Sequence, residues 1–194
     1  MDLHVLARAA LPHPPARVLE VGCGRGELAR ALSTDGYDVV AVDPDAPEGA
    51  IFRRTTLESL GDEGPFDGAF ASLALHHVDD LGAALDKLHS LLRPGAPLVV
   101  RELAWDLVDE ATARWDSERR GRTGGLAEWR AEHERLHTFE DMRAALDARF
   151  RERSFEWGPY LSEHEPSEGH AEEELRLIRS GEIQAVGFVY VGTA

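Results

Sequence analysis

The chain is poor in several features that would each point to a function. It has one cysteine, Cys23, in 194 residues, which excludes an internal disulfide and a cysteine-rich zinc site. It is short of basic charge: 21 Lys and Arg stand against 36 Asp and Glu, a formal net charge of −15. Such a surface repels phosphate backbones, so nucleic acid is not an expected partner. The same repulsion disfavours anionic membrane surfaces, and the plain reading of the charge is solubility. The first ten residues carry Asp2, His4 and Arg8, so they read as neither a signal peptide nor a membrane span, and a cytoplasmic protein is expected. No internal repeat and no low-complexity tract interrupts the chain. At this length one domain, residues 1–194, with a substantial core is expected. His133-Glu134-Arg135-Leu136-His137 sets two histidines four apart in the letters of HExxH, but His137 falls at an expected helix boundary. A solvated polar face is favoured there over a metal site, so no metal is expected.

What is present begins with Val18-Leu19-Glu20-Val21-Gly22-Cys23-Gly24-Arg25-Gly26-Glu27-Leu28-Ala29. An apolar run from Arg17 to Val21 predicts a buried strand, and a helix is expected over 25–34 after a glycine turn. Glycines at spacing two let backbone approach a ligand where a Cβ would clash. A strand–glycine–helix unit of this kind points to a nucleotide-like ligand at the carboxyl end of a parallel sheet. The dinucleotide pattern G-x-G-x-x-G/A fails when counted from Gly22, because its last position is Glu27, a carboxylate where a pyrophosphate would lie. Counting from Gly24 reaches Ala29, but shifts the turn two residues into the helix. An NAD-type dehydrogenase is thereby disfavoured, while Glu20, just before the turn, suits a ligand with a cationic or amine group. A second apolar strand, Val39 to Val42, ends at Asp43, and an acid there can accept both hydroxyls of a ribose.

The pattern E-x-G-x-G-x-G resembles motif I of class I S-adenosylmethionine (SAM)-dependent methyltransferases. The run Phe66-Asp67-Gly68-Ala69-Phe70-Ala71-Ser72-Leu73-Ala74-Leu75-His76-His77-Val78 resembles that family's fourth-strand motif, and Leu91-Leu92-Arg93-Pro94-Gly95-Ala96-Pro97-Leu98-Val99-Val100 its helix-to-strand turn. Four motifs in order cover about residues 16–104. The chain is most similar to the type 11-like, small-molecule branch. Two departures are visible: Ala96 replaces the second glycine of that turn, and the acidic adenine motif reads Thr56-Leu57-Glu58.

The resemblance implies an α/β Rossmann-like fold: a seven-stranded, mostly parallel sheet with an antiparallel last strand inserted between strands five and six, and helices on both faces. Strands are expected near 17–21, 38–42, 50–54, 66–71, 96–103, 150–157 and 183–191. Helices are expected near 3–10, 79–92, 138–148 and 170–180, with Thr138 and Asp141 forming a near capping box. Glu172-Glu173-Glu174 reads as the exposed start of the helix at 170–180. Residues 105–136, broken at Gly121 to Gly125, are expected to form a helical insertion over the acceptor site.

The resemblance also implies SAM as cofactor and a small-molecule acceptor, with donor binding at Glu20, Gly22, Cys23, Gly24, Asp43, Pro44, Thr56, Leu57, Glu58, Ser72 and Leu73. His76 and His77 are the candidate bases, His76 oriented by Glu102 being the one the resemblance favours; closure of the strand-four loop is the pair's structural alternative. Trp105, Trp129, Trp157 and Tyr160 either line an acceptor site or belong to the core. The activity implied is methyl transfer to an oxygen or nitrogen nucleophile, of natural-product type among the options. Binding of SAM or its demethylated product without transfer, and another SAM-assisted reaction on the same fold, remain as alternatives. Oligomeric state is not legible in the sequence.

Overall fold

The computed structural model describes residues 2–163 and 169–194. Seven strands form one sheet: β1 (Arg17–Val21), β2 (Asp38–Asp43), β3 (Phe52–Arg54), β4 (Gly68–Ser72), β5 (Pro97–Leu103), β6 (Arg151–Gly158) and β7 (Gly187–Thr193). Their order is β3-β2-β1-β4-β5-β7-β6. The first five are mutually parallel, and β7 runs antiparallel between β5 and β6. Strand order reverses between β1 and β4, which opens a crevice beyond their carboxyl ends, the usual ligand position in an open α/β sheet.

Among the described residues seven α-helices accompany the sheet: α1 (Leu3–Ala10), α2 (Glu27–Thr34), α3 (Leu81–Leu91), α4 (Glu110–Arg119), α5 (Leu126–His133), α6 (Phe139–Asp147) and α7 (His170–Ser180). Side chains alternate across each strand, so the sheet has two apolar layers. Leu19, Val21, Val40, Val42, Leu98 and Val100 pack with Leu81, Leu85 and Leu88 of α3 and Met142 and Leu146 of α6. Val18, Val39, Ala41, Phe70 and Val99 pack with Ala7, Leu28, Ala29 and Leu32 of α1 and α2. A third cluster around Leu103, Trp105, Trp129, Tyr160 and Val186 joins the 105–136 segment to the carboxyl end of the sheet.

Element ends follow local chemistry. Asp80, not Asp79, caps α3, its side chain accepting the Ala83 N–H, so the helix starts two residues later than its acidic pair suggests. The capping box at α6 forms with Asp141 in the third position, its carboxylate taking the Thr138 N–H. The largest boundary difference is at the last strand, which begins at Gly187 rather than Ile183. The Gln184 N–H donates to Thr112 Oγ1 and the Val186 carbonyl accepts the Ala104 N–H, so these residues serve the neighbouring segment before the ladder begins. Glu174 corrects the expected exposure of its acidic run. It is fully buried, and its carboxylate accepts the backbone N–H groups of Tyr160, Leu161 and Ser162.

Candidate donor and acceptor site

The crevice at the strand-order reversal holds a cavity of about 740 Å³, within the range of sites for small ligands. Its wall contains Gly22, Gly24, Asp43, Pro44, Thr56, Leu57, Glu58, Ser72 and Leu73, nine of the expected donor residues. They come from the ends of β1, β2 and β4 and the loop after β3, which the parallel register brings level.

The glycines have different jobs. At Gly22, φ is +75° and a Cβ would stand 2.5 Å from the Ala74 Cβ, so a side chain would fill the cavity floor. At Gly26, φ is +77° and a Cβ would stand 2.4 Å from the Phe52 ring. Gly26 therefore serves packing and does not border the cavity. Between them the Gly24 N–H donates to Asp43 Oδ2 at 2.9 Å, while Asp43 Oδ1 accepts the Asp45 N–H at 2.8 Å. Asp43 is thereby held in place with lone pairs to spare for ligand hydroxyls.

Two expected donor residues lie behind the wall. Cys23 is 5% exposed and packs into the α1–α2 layer. Its small side chain is drawn inward by the turn, and burial, aided by the charges of Glu20 and Asp43, pushes its thiol up to about 12, so the side chain belongs to the core and not to the cavity wall. Glu20 is also 5% exposed, and its Oε2 has no hydrogen-bond partner. Burial, with the nearby charges of Glu27 and Asp43, raises its carboxyl to about 8. A buried carboxyl oxygen left unpaired is costly, and a cationic group arriving beside it would relieve that cost.

Glu102 is the opposite case. It is fully buried at the end of β5, and Oε1 accepts the N–H groups of Ala74 at 2.8 Å and Leu75 at 2.7 Å. Its Oε2 accepts His76 Nδ1–H at 2.5 Å and the Leu103 N–H at 3.3 Å. This fixes the His76 tautomer and draws the ring inward. His76 is 6% exposed and is not in the cavity wall. Its neighbour His77 is exposed and in the wall, with the two ring centroids 4.1 Å apart. Partial desolvation pushes the His77 imidazole below its ordinary value; His76 and His133 add to this and Glu102 opposes it. The same turn puts Leu73 at φ +53°, uncommon for a bulky side chain, with its N–H donated to the Arg101 carbonyl.

Sequence reasoning missed Asp45, Ala74, Val78, Asp79 and Asp80, which also border the cavity together with the candidate base His77. Asp45 and Ala74 each stand two residues past a strand end, and Val78, Asp79 and Asp80 lead into α3.

None of the aromatic candidates lines the cavity. Trp105 and Trp129 are buried in the third cluster, with Trp105 Nε1–H donated to the His137 carbonyl and Trp129 Nε1–H to the Trp105 carbonyl. Tyr160 belongs to the same cluster, whose edge includes Leu73 of the cavity wall. Trp157 packs among Phe139, Phe155 and Phe188. His133 stacks on Trp129 and donates Nδ1–H to its carbonyl, and His137 donates Nε2–H to the Val78 carbonyl. Both histidines thus fasten the 105–136 segment and its exit.

Residues 3–157 match the family model described as a methyltransferase domain. The chain belongs to this methyltransferase domain family. Membership indicates SAM as the cofactor, and the unpaired Glu20 oxygen, the Gly22 floor and the placed Asp43 fit such a ligand. The domain is 34% identical over 100 residues to a ubiquinone biosynthesis O-methyltransferase of Bradyrhizobium sp. (strain ORS 278), covering 45% of this chain and 40% of that protein. It is 31% identical over 113 residues to a malonyl-[acyl-carrier protein] O-methyltransferase of Pseudescherichia vulneris, covering 53% and 45%. The matched stretch thus spans less than half the length of these relatives. Among solved structures, a SAM-dependent methyltransferase from Mesorhizobium loti superposes with a TM-score of 0.67 at 19% identity, over 98% of this chain and 96% of that one. The likeness of that structure is one of fold. Among the described residues no helix is long and apolar enough to cross a membrane.

Proposed function

We propose that the protein transfers a methyl group from SAM to an oxygen nucleophile of a small molecule. The observation that carries this reading is one crevice in which the donor wall meets a histidine turn held by a buried acid. The O-methyltransferase names of the relatives favour oxygen over nitrogen. A hydroxyl-bearing metabolite of natural-product type fits the scale of the cavity.

When bound, SAM supplies an activated methyl on a sulfonium. The protein aligns the reactants and takes the acceptor proton. Asp43 holds the ribose hydroxyls, Glu20 faces the amino group, and Gly22 and Gly24 leave room for the ligand backbone. Thr56, Leu57 and Glu58 border the adenine. The 105–136 segment acts as the acceptor lid, and the whole chain, residues 1–194, works as one domain. Glu102 holds His76 as the Nδ1–H tautomer, so Nε2 carries the lone pair that accepts the proton.

A second reading makes His77 the base, because it is the histidine that borders the cavity. Its lowered proton affinity keeps it neutral and able to accept a proton at neutral pH. Separate His76→Ala and His77→Ala variants decide between them. Loss of the base should reduce kcat by roughly 10²–10⁴-fold with donor affinity intact. Normal kcat in both variants across the pH range would leave alignment alone as the mechanism.

A further inference from the structure

The turn that carries both candidate bases is weak by itself. Leu75–His77 form a single 3₁₀ turn, closed by the His77 N–H to the Ala74 carbonyl at 3.1 Å and the Val78 N–H to the Leu75 carbonyl at 3.4 Å. Hydrogen bonds of such turns are poorly aligned, so the turn depends on support from outside. Glu102 supports it from one side, through the Ala74 and Leu75 amides and the His76 ring. All three lie before His77.

His137 supports the other side. It stands just before α6 and offers two donors. Its backbone N–H donates to the His76 carbonyl at 3.2 Å, and its Nε2–H to the Val78 carbonyl at 2.8 Å. A carbonyl can only accept, so Nε2 carries the proton. These are the carbonyls immediately before and immediately after His77. His137 is in turn fixed from a different direction. Its own carbonyl accepts Trp105 Nε1–H at 3.0 Å, the Phe139 N–H donates to Asp106 Oδ1 at 2.8 Å, and Thr138 caps α6. The bracket around His77 is therefore mounted on the segment after β5 and on α6, not on the turn it grips.

We propose that His137 is the positioning residue for His77: by holding the carbonyls on either side of it, His137 keeps the His77 ring in the cavity wall, within reach of an acceptor proton. This rests on the reading in which His77 is the base, and adds to it the residue that places that base. Trp129 of α5 donates Nε1–H to the Trp105 carbonyl, so the same run of bonds ties the 105–136 segment to the base.

The titration of His77 reports where its ring stands. Partial desolvation lowers it, and the charged or titratable groups around it are His76, Glu102 and His133, with Asp79 and Asp80 sharing its wall. A ring released into solvent should titrate closer to the ordinary value of about 6.5.

The experiment is NMR titration of the histidine rings in the ligand-free protein, for the wild type, His137→Gln and His137→Asn. The Gln amide nitrogen reaches the place of the lost Nε2 and can donate to the Val78 carbonyl; the shorter Asn amide cannot. His77 should titrate below 6.5 in the wild type and in His137→Gln, and should move up towards 6.5 in His137→Asn. In the wild type, imidazole nitrogen shifts should show the neutral His137 ring protonated at Nε2. A folded His137→Asn with the wild-type His77 midpoint would overturn the proposal, and so would an equal shift in both variants. A wild-type His137 ring protonated at Nδ1 would overturn it without any variant. Normal kcat in His77→Ala would be a different failure, that of His77 as the base.

Discussion

The carboxyl ends of β1 and β5 each bury an acid, and the two acids are in opposite states. Glu102 accepts three backbone N–H groups and the His76 ring. Glu20 has an oxygen with no partner and holds its proton up to about pH 8. A satisfied buried carboxylate is architecture: Glu102 shapes residues 73–77, as Glu174 shapes residues 160–162. The unsatisfied one, Glu20, is the acid we propose meets the amino group of SAM. The difference separates two kinds of functional residue that sequence alone presents alike, an acid near a strand end.

The comparison breaks most visibly at Glu102. Glu102→Ala leaves the Ala74 and Leu75 amides and the His76 ring without their acceptor, and should cost about 3–5 kcal/mol of stability. Chemical denaturation would read the loss. A cost below about 1 kcal/mol would mean that the turn has an alternative set of hydrogen bonds.

At Glu20 a smaller effect of opposite sign is expected. Its folded-state value lies above the ordinary 4.5, so the native state binds more protons than the unfolded chain between about pH 4.5 and 8. Stability contributed by this group is therefore present below that window and is lost as pH rises through it. Glu20→Gln should flatten the fall in melting temperature of the ligand-free protein over that range. A wild-type profile that Glu20→Gln leaves unchanged would show that the carboxyl has found a partner.

Most of the fold was legible because its signals are local. The run Arg17 to Val21 and the Thr138–Asp141 box need only neighbouring residues to be read, whereas the position of β7 between β5 and β6 was implied by the resemblance to class I methyltransferases. What was missed depends on tertiary partners. Glu174 lies in a run of three acids whose sequence says exposed helix start, yet three distant amides draw it inside. His76 and His77 are adjacent and chemically equal, and only the pull of Glu102 decides which ring leaves the cavity wall. Cys23 sits between two cavity glycines, but the left-handed turn carries its side chain to the other side. The start of β7 at Gly187 reflects hydrogen bonds to Thr112 and Ala104 that no periodicity encodes.

The central proposal is that Glu20, whose Oε2 has no hydrogen-bond partner, takes the cationic amino group of SAM. Calorimetric titration with SAM at pH 7, repeated in buffers of different ionisation enthalpy, measures the protons exchanged on binding. Burial raises the Glu20 carboxyl to about 8, and a cation arriving beside it should ionise it, so the wild type should release close to one proton per SAM bound. Glu20→Gln should release none and bind more weakly. Full-affinity binding by the wild type with no proton release would contradict the account.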